Sequence, residues 1–275
     1  MENGQSKGWN ASLQLKYIQR RGRTVLARNI HSGPLVVQRP LYPEGGVCHT
    51  CILHPPGGVV GGDHLKMDIL AEKKTSTLIT TPGATKFYRS AGKTAVQEQH
   101  LCIEDGAMLE WLPQGNIIFP GANAEINTTI DLAAGAKFMG WEILCLGLPV
   151  NNQRFDHGKL FTSLVVRRQK IPLLIERLRV HEHQELSRCA GLRDFPIIAT
   201  FIATDCTSET LSPLRSLTPH EKEALYGVTL MDGLLVVRYL GFSTFAAQGL
   251  FTHIWKLLRP KITKTNACPP RIWAT

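Results

Sequence analysis

The chain has no apolar run near the roughly 18 residues that a membrane-spanning helix needs. Its opening, MENGQSKGWNASLQLKYIQRRGRT, lacks an apolar stretch followed by a small-residue cleavage site. Both absences place the expected location in the cytoplasm, with no membrane partner. Cysteine is sparse and unpatterned: seven residues, an odd number without framework spacing, suit reduced thiols and exclude a disulfide scaffold. Acidic residues are also short, 22 against 31 Lys and Arg, which leaves a net charge of +9. That surplus suits nucleic acid or an acidic protein partner, and charge alone does not choose between them.

The usual local signatures of catalysis are missing as well. No G-x-G-x-x-G, G-x-S-x-G or H-E-x-x-H occurs. FYRSAGKT ends as a phosphate-binding loop should, at Gly92-Lys93-Thr94, but Phe87 stands where the first glycine belongs, and a strand-like segment follows in place of a helix. In LHPPGGVVGGDHL, Gly57 and Gly62 have the right separation, yet Asp63-His64 replace Lys-Ser/Thr, and a carboxylate repels phosphate.

What is present is a β rhythm. With 43% hydrophobic and 19% charged residues the chain can bury a full core, and residues 1–275 read as one domain. Leu13, Leu15 and Tyr17 share one strand face, as do Leu65, Met67 and Ile69, then Ala107, Leu109 and Trp111. Leu174, Leu178 and Val180 do likewise, with Glu176 between them. Gly-Ala pairs at 83–84, 106–107, 121–122 and 135–136 suggest stacked turns, as in a solenoid, though too unevenly spaced for a true repeat. Cross-strand packing of Trp111 on Trp141 is the simpler reading of the Gly-Ala to Trp spacing.

The last third predicts helices. Thr218-Pro219-His220-Glu221 carries a cap, proline at the first helical position and glutamate at N3, so a helix is expected over 218–227. A second is expected over 244–258. There Ala247, Leu250, Phe251, Ile254 and Leu258 form one apolar face before Pro260 stops it. The tail 261–275, with Pro269, Pro270 and Trp273, reads as a docking strap.

Cys48, Cys51 and His54, with His49 between the cysteines, have a spacing that soft metal ligands use, but lack a second paired half. Buried thiols are the alternative. His181 with His183, and Asp156-His157, read as solvated faces rather than metal pairs, and Lys86 and Arg89 as solvated charges. A basic nucleic-acid-binding module remains the alternative from another class, but YIQRRGR and VVRRQK are the only dense basic groups and no RNA-binding aromatic motif accompanies them.

YPEGGVCHTCILHPPGGVVGGDHL, then TTPGATKFYRS, LEWLPQGNIIFPGA and GWEILCLG, resembles the urease accessory protein UreD (UreH) family, in order from about Leu41 to Gly158. LLIERLRV and PRIWAT agree more weakly. Leu148 stands where the family more often has arginine, and Asn152-Gln153 where it more often has Gly-Glu.

The resemblance implies a mainly β fold, β-helix-like with two layers of stacked sheet and a few helices, mostly in the C-terminal third. It implies a non-enzymatic factor that joins UreF and UreG on apo-urease and helps nickel reach the urease active site, with no tightly bound cofactor. Under that reading Pro55-Pro56 and Gly57, Gly58, Gly61 and Gly62 form a rigid turn holding Asp63 inward. Nickel in transit needs ligands that release it, and Asp63, Glu142 and Glu176 are the candidates. Glu142 and Glu176 each interrupt an apolar pattern, so each must be paired, hydrated or coordinating, with Arg177 or Arg179 on a neighbouring strand as the pairing alternative for Glu176. Leu250, Phe251, Ile254, Leu258 and Trp273 are the expected UreF-docking residues.

Overall fold

A computed structural model describes residues 8–274 apart from 182, 218 and 220. The strands are β1 (Asn10–Arg20), β2 (Arg23–Ser32), β3 (Val36–Val37), β4 (Cys48–Leu53), β5 (His64–Ala71), β6 (Ser76–Thr80), β7 (Thr85–Phe87), β8 (Ala95–Ile103) and β9 (Met108–Leu112). They continue with β10 (Asn116–Ile118), β11 (Asn123–Leu132), β12 (Lys137–Leu146), β13 (Lys159–Arg168), β14 (Ile171–Val180), β15 (Ile197–Ala203), β16 (Leu225–Met231) and β17 (Leu234–Gly241). The helices are α1 (His183–Ser187), α2 (Ser208–Arg215) and α3 (Thr244–Thr263).

These strands wind as a solenoid of two facing sheets. The first runs β14-β13-β11-β8-β5-β1-β2 and the second β16-β17-β15-β12-β9-β6-β4-β3, from which the short β10 branches by pairing with β12 and carries β7 on its other edge. Inside each sheet the successive coils are parallel, β5 on β8 on β11 on β13, and β4 on β6 on β9 on β12. Antiparallel hairpins close both ends, β1 with β2 and β13 with β14.

The corner between the sheets repeats. Thr75, Ala107 and Ala136 each donate their backbone N–H to the carbonyl three residues back, at 3.1, 3.0 and 3.2 Å. Successive corners bond to one another, Lys74 N–H to Asp105 O at 3.3 Å and Gly106 N–H to Gly135 O at 3.2 Å. Lys74 and Gly106 adopt positive φ, +60° and +69°, which costs little for glycine and more for lysine. The Gly-Ala pairs 106–107 and 135–136 are thus stacked corners, with both alanines fully buried.

Trp111 and Trp141 do not pack on one another. Trp111 belongs to the core between the two sheets and Trp141 to the core under α3. The residue beside Trp111 across the ladder is Gly140, so Trp141 one position on points to the opposite face.

The helix expected over 218–227 is absent. Residues 221–223 form a bend and turns, Leu225–Met231 is strand β16, and Thr218 and His220 lie outside the described residues. Pairing with β17 satisfies the backbone that the capping pattern would have committed to a helix, and the side chains of β16 alternate between half-buried and exposed. The predicted C-terminal helix forms but runs past Pro260 to Thr263. Ser243 caps it, accepting from Ala246 N–H at 3.2 Å.

Leu250, Phe251, Ile254 and Leu258 face inward, at most 6% exposed, and pack on the outer side of the second sheet. Each such side chain stabilises the fold by about 2 kcal/mol on burial. The expectation that they form a docking surface is therefore corrected for this chain: they are core. Trp273 lies in the 3-10 turn Arg271–Ala274, its ring 5.8 Å from Trp141 and 6.0 Å from Trp255, and its indole N–H donates to Thr80 Oγ1 at 2.9 Å. The strap docks on its own chain.

Candidate functional site

The glycine-rich stretch joins β4 to β5 and lies against the next coil. A Cβ on Gly58 would meet Lys86 O at 2.6 Å and one on Gly61 would meet Lys93 O at 2.6 Å, so both permit close backbone approach. Gly62 has φ +98°. Gly57 shows neither constraint, its nearest neighbour being the Tyr88 hydroxyl at 3.6 Å. The turn does hold Asp63 inward, but not toward a passage. Asp63 Oδ1 accepts from Trp9 N–H at 2.8 Å and Oδ2 from Val60 N–H at 2.9 Å, so the carboxylate caps backbone. It lines neither of the cavities described next. As a metal candidate it is replaced by this structural role.

Glu142 and Glu176 do come together, because two strand rows face each other across the gap between the sheets. On the first sheet Gln99, Thr128, Leu164 and Glu176 are in register across β8, β11, β13 and β14. On the second, Glu142, Thr200 and Arg238 are in register across β12, β15 and β17. The rows interlock: Thr128 Oγ1 donates to Glu142 Oε1, Thr200 Oγ1 donates to Glu176 Oε2 at 3.2 Å, and Arg238 Nε donates to Glu176 Oε1. A polar track therefore crosses an otherwise apolar interlayer.

Two cavities meet on that track. The inner one, of ≈ 170 Å³, is lined by His54, Gly57, Gly58, Gln97, Gln99, Trp111, Asn116 and Glu142 among others. The outer one, of ≈ 280 Å³, is lined by Glu142, Thr162, Glu176, Thr200 and Arg238 together with leucines of β12, β13 and β14. Glu142 belongs to both. Burial pushes its carboxyl up to about 7, with the Thr128 hydrogen bond opposing and the Glu176 charge adding. Among the described residues no cation pairs with it. His54 is held below the ordinary imidazole range by burial, with Asp63 opposing, so it faces the inner cavity as a neutral ring. The Trp111 indole N–H is buried without a partner among the described residues, which suits a cavity holding water or a hydrated ion.

The cysteine reading does not survive. Cys48 faces the core between the sheets, and Cys51, three positions along the same strand, points to the other side. Burial raises both thiols, which disfavours the thiolate a metal needs. Among the described residues no three His, Cys, Asp or Glu side chains are grouped to hold a metal ion. His181 follows the end of β14 and His183 opens α1, so they share no strand face. Glu176 pairs with Arg238 rather than with Arg177, which borders the outer cavity from the exposed side of β14, or Arg179, which lies over the Phe161 ring.

Known proteins match the sequence along nearly its whole length. The family model described as "UreD urease accessory protein" matches residues 10–274. The urease accessory protein UreD of Alcanivorax borkumensis is 48% identical over 279 residues, covering 99% of this chain and 94% of that protein. The UreD of Klebsiella aerogenes is 45% identical over 270 residues, covering 98% of each. The UreD of Pseudomonas putida strain W619 is 44% identical over 268 residues, covering 98% and 95%. The chain belongs to the UreD urease accessory protein family.

Leu148, Asn152 and Gln153, the positions expected to depart from the family pattern, lie together at the surface. Leu148 bridges Gln153 around the 3-10 turn Pro149–Asn151, Asn152 adopts a left-handed conformation, and none of the three lines either cavity of the track. Among the described residues no helix is long and apolar enough to cross a membrane.

One site escaped the sequence reading. Arg259 of α3 is fully buried, with Nε and Nη2 on Glu110 at 2.9 and 3.0 Å and Nη1 and Nη2 on Glu44 at 2.6 and 2.7 Å. His49 Nε2 lies 2.5 Å from Glu44 Oε1 and Trp255 Nε1 donates to Glu110 Oε1 at 2.6 Å. Burial tends to raise Glu44, but hydrogen bonds from His49 and Arg259 hold it below the usual carboxylate range. The available signal was Glu110 inside MLEWL, an acid in an apolar strand like the one in GWEIL.

Proposed function

We propose that this chain is a non-enzymatic urease maturation factor, acting in the cytoplasm, that joins UreF and UreG on apo-urease and conducts nickel between its two sheets. The observation that carries this reading is the meeting of two cavities on Glu142, a carboxylate without a cationic partner. Glu142 is half-buried, and an acid withdrawn from most of the solvent that is neither paired nor fully hydrogen-bonded is costly, the kind of perturbed group that clusters where an ion or proton is handled. Oxygen ligands in a pair, rather than a closed set of four, bind a divalent ion weakly enough to release it. Family membership favours this over a nucleic-acid-binding module, which shares only the basic charge.

The test is Glu142→Gln and Glu176→Gln, each co-produced with urease and the other accessory proteins. Both variants are expected to assemble normally yet yield urease with less nickel per active site, normalised to intact complex. Asp63→Asn, which touches only the backbone cap, serves as the comparison and should lower nickel only in proportion to lost protein. Wild-type nickel content from both glutamine variants would overturn the transit role.

A further inference from the structure

The outer end of the polar track is occupied by a positive charge, which is an odd thing to place on a route for a cation. Arg238 projects from β17 into the outer cavity and pairs with Glu176 of β14, joining the two sheets where their antiparallel ends face each other. Its side chain remains 46% exposed, against 29% for Glu176, so the guanidinium reaches solvent by rotating about its own stem. Glu176 does not need Arg238 to stay oriented, because Thr200 holds its other oxygen. Thr200 is itself in register with both Arg238 and Glu142, so these three sit on one cross-strand row of the second sheet and face Glu176 on the first.

We propose that Arg238 is the gate of the track: in the closed state its guanidinium occupies Glu176 and repels divalent ions, and a cation passes only when it displaces Arg238 into solvent. This rests on the nickel-passage reading above. Glu176 keeps a cationic partner throughout the exchange, the second charge of the divalent ion falls to Glu142 across the same cavity, and the released guanidinium is solvated by water and counterions. A weakly held, half-exposed arginine suits this duty better than a buried one. Arg259, with two carboxylates around it and no exposure, is fixed in place.

The test is nickel binding by the full chain, measured by competition with a chromophoric indicator. Arg238→Gln, which keeps a hydrogen-bond donor and loses the charge, should bind Ni²⁺ up to about fivefold more tightly than the parent, the equivalent of a partly exposed ion pair of about 1 kcal/mol no longer competing. Arg238→Lys should stay within about threefold of the parent, since a lysine still supplies the charge. Adding Glu176→Gln to Arg238→Gln should abolish the gain. If Arg238→Gln binds no more tightly while Glu142→Gln weakens binding, the passage stands and the gate falls. If Glu142→Gln and Glu176→Gln leave Ni²⁺ binding unchanged, both fall. Crystals of the wild-type chain soaked in Ni²⁺ decide the matter without a variant. An ion at Glu142 and Glu176 with Arg238 turned outward is expected, and an ion there with the Arg238–Glu176 pair intact would overturn the gate.

Discussion

Glu110 and Glu142 are the same residue type in the same sheet, each next to a tryptophan in an apolar strand, and the protein treats them in opposite ways. Glu110 on β9 faces α3, where Arg259 and Trp255 satisfy both of its oxygens. Glu142 on β12 faces the gap between the sheets, where Thr128 is its one hydrogen-bonding partner among the described residues and two cavities open on it. Burial raises both carboxyls, but Arg259 pulls Glu110 back, whereas the Glu176 charge pushes Glu142 further. An acid in an apolar strand is thus structural when the fold buries it against a cation, as at Glu110, and a candidate for function when it leaves it half-buried beside open space, as at Glu142.

Breaking the structural member should have the largest effect. Arg259→Met leaves Glu110 fully buried without its cation and Glu44 with only His49, which should cost about 3–5 kcal/mol, or a fall in Tm on the order of 10 °C. Thermal unfolding followed by circular dichroism checks this. Combining Arg259→Met with Glu110→Gln and Glu44→Gln should recover much of the loss, because no unpaired charge then remains. A single variant as stable as the parent would mean that the cluster contributes nothing to holding α3.

The functional member should respond with the opposite sign. A carboxyl at about 7 in the folded chain and near 4.5 when unfolded takes up protons on folding between those values, so its contribution to stability falls as pH rises through that window and stays low above it. Glu142→Gln removes the penalty. The variant should match the parent near pH 4.5 and exceed it above pH 7, by on the order of 3 kcal/mol at most, while nickel delivery falls. Unfolding in urea at several pH values measures the difference. A Gln variant less stable than the parent at high pH would show that the ionised form is well paired after all.

Much of this contrast was legible in sequence and part was not, for reasons that lie in register. Alternation in LQLKY, HLKMDIL and LLIERLRV gave the strands and the inward position of Glu176, since a period of two is local. The Gly-Ala corners gave the stacked turns. The family resemblance carried the overall architecture. What a cavity needs, however, is the alignment of residues far apart in sequence: Glu142 meets Thr128 from the neighbouring coil and Glu176 meets Arg238 across the gap. No periodicity encodes that pairing. The same holds for α3, where the apolar stripe was right but its partner was the chain's own second sheet, and for 218–227, where a convincing cap preceded a strand.

The glycine turn offers an intermediate effect. Gly62→Val forces a β-branched residue to φ +98° with its Cβ 3.2 Å from the Lys93 side chain, at a cost of about 1–3 kcal/mol. Asp63→Asn presents an amide donor where two backbone N–H groups point, and should cost a similar 1–3 kcal/mol by leaving one of them unpaired. Both losses should appear in urea unfolding, and nickel per active site in recovered complex should be unchanged for Asp63→Asn. A nickel deficit without a stability loss would restore Asp63 to the passage.

The smallest stability effect belongs to the pair proposed as a gate, and its smallness is what the comparison with Arg259 requires. Arg238 and Glu176 are bonded as directly as Arg259 and Glu110, but both remain partly in water, where screening and side-chain entropy cancel most of the attraction. A double-mutant cycle with Arg238→Gln and Glu176→Gln should give a coupling of less than about 1 kcal/mol, shrinking further in 0.5 M salt, against several kcal/mol for Arg259 with Glu110. A gate must open at modest cost, and a brace must not. If the Arg238–Glu176 coupling instead matched that of the buried pair, the two sheets would be clamped at the outer cavity, and displacement of Arg238 by a weakly bound ion would be too costly to serve transit.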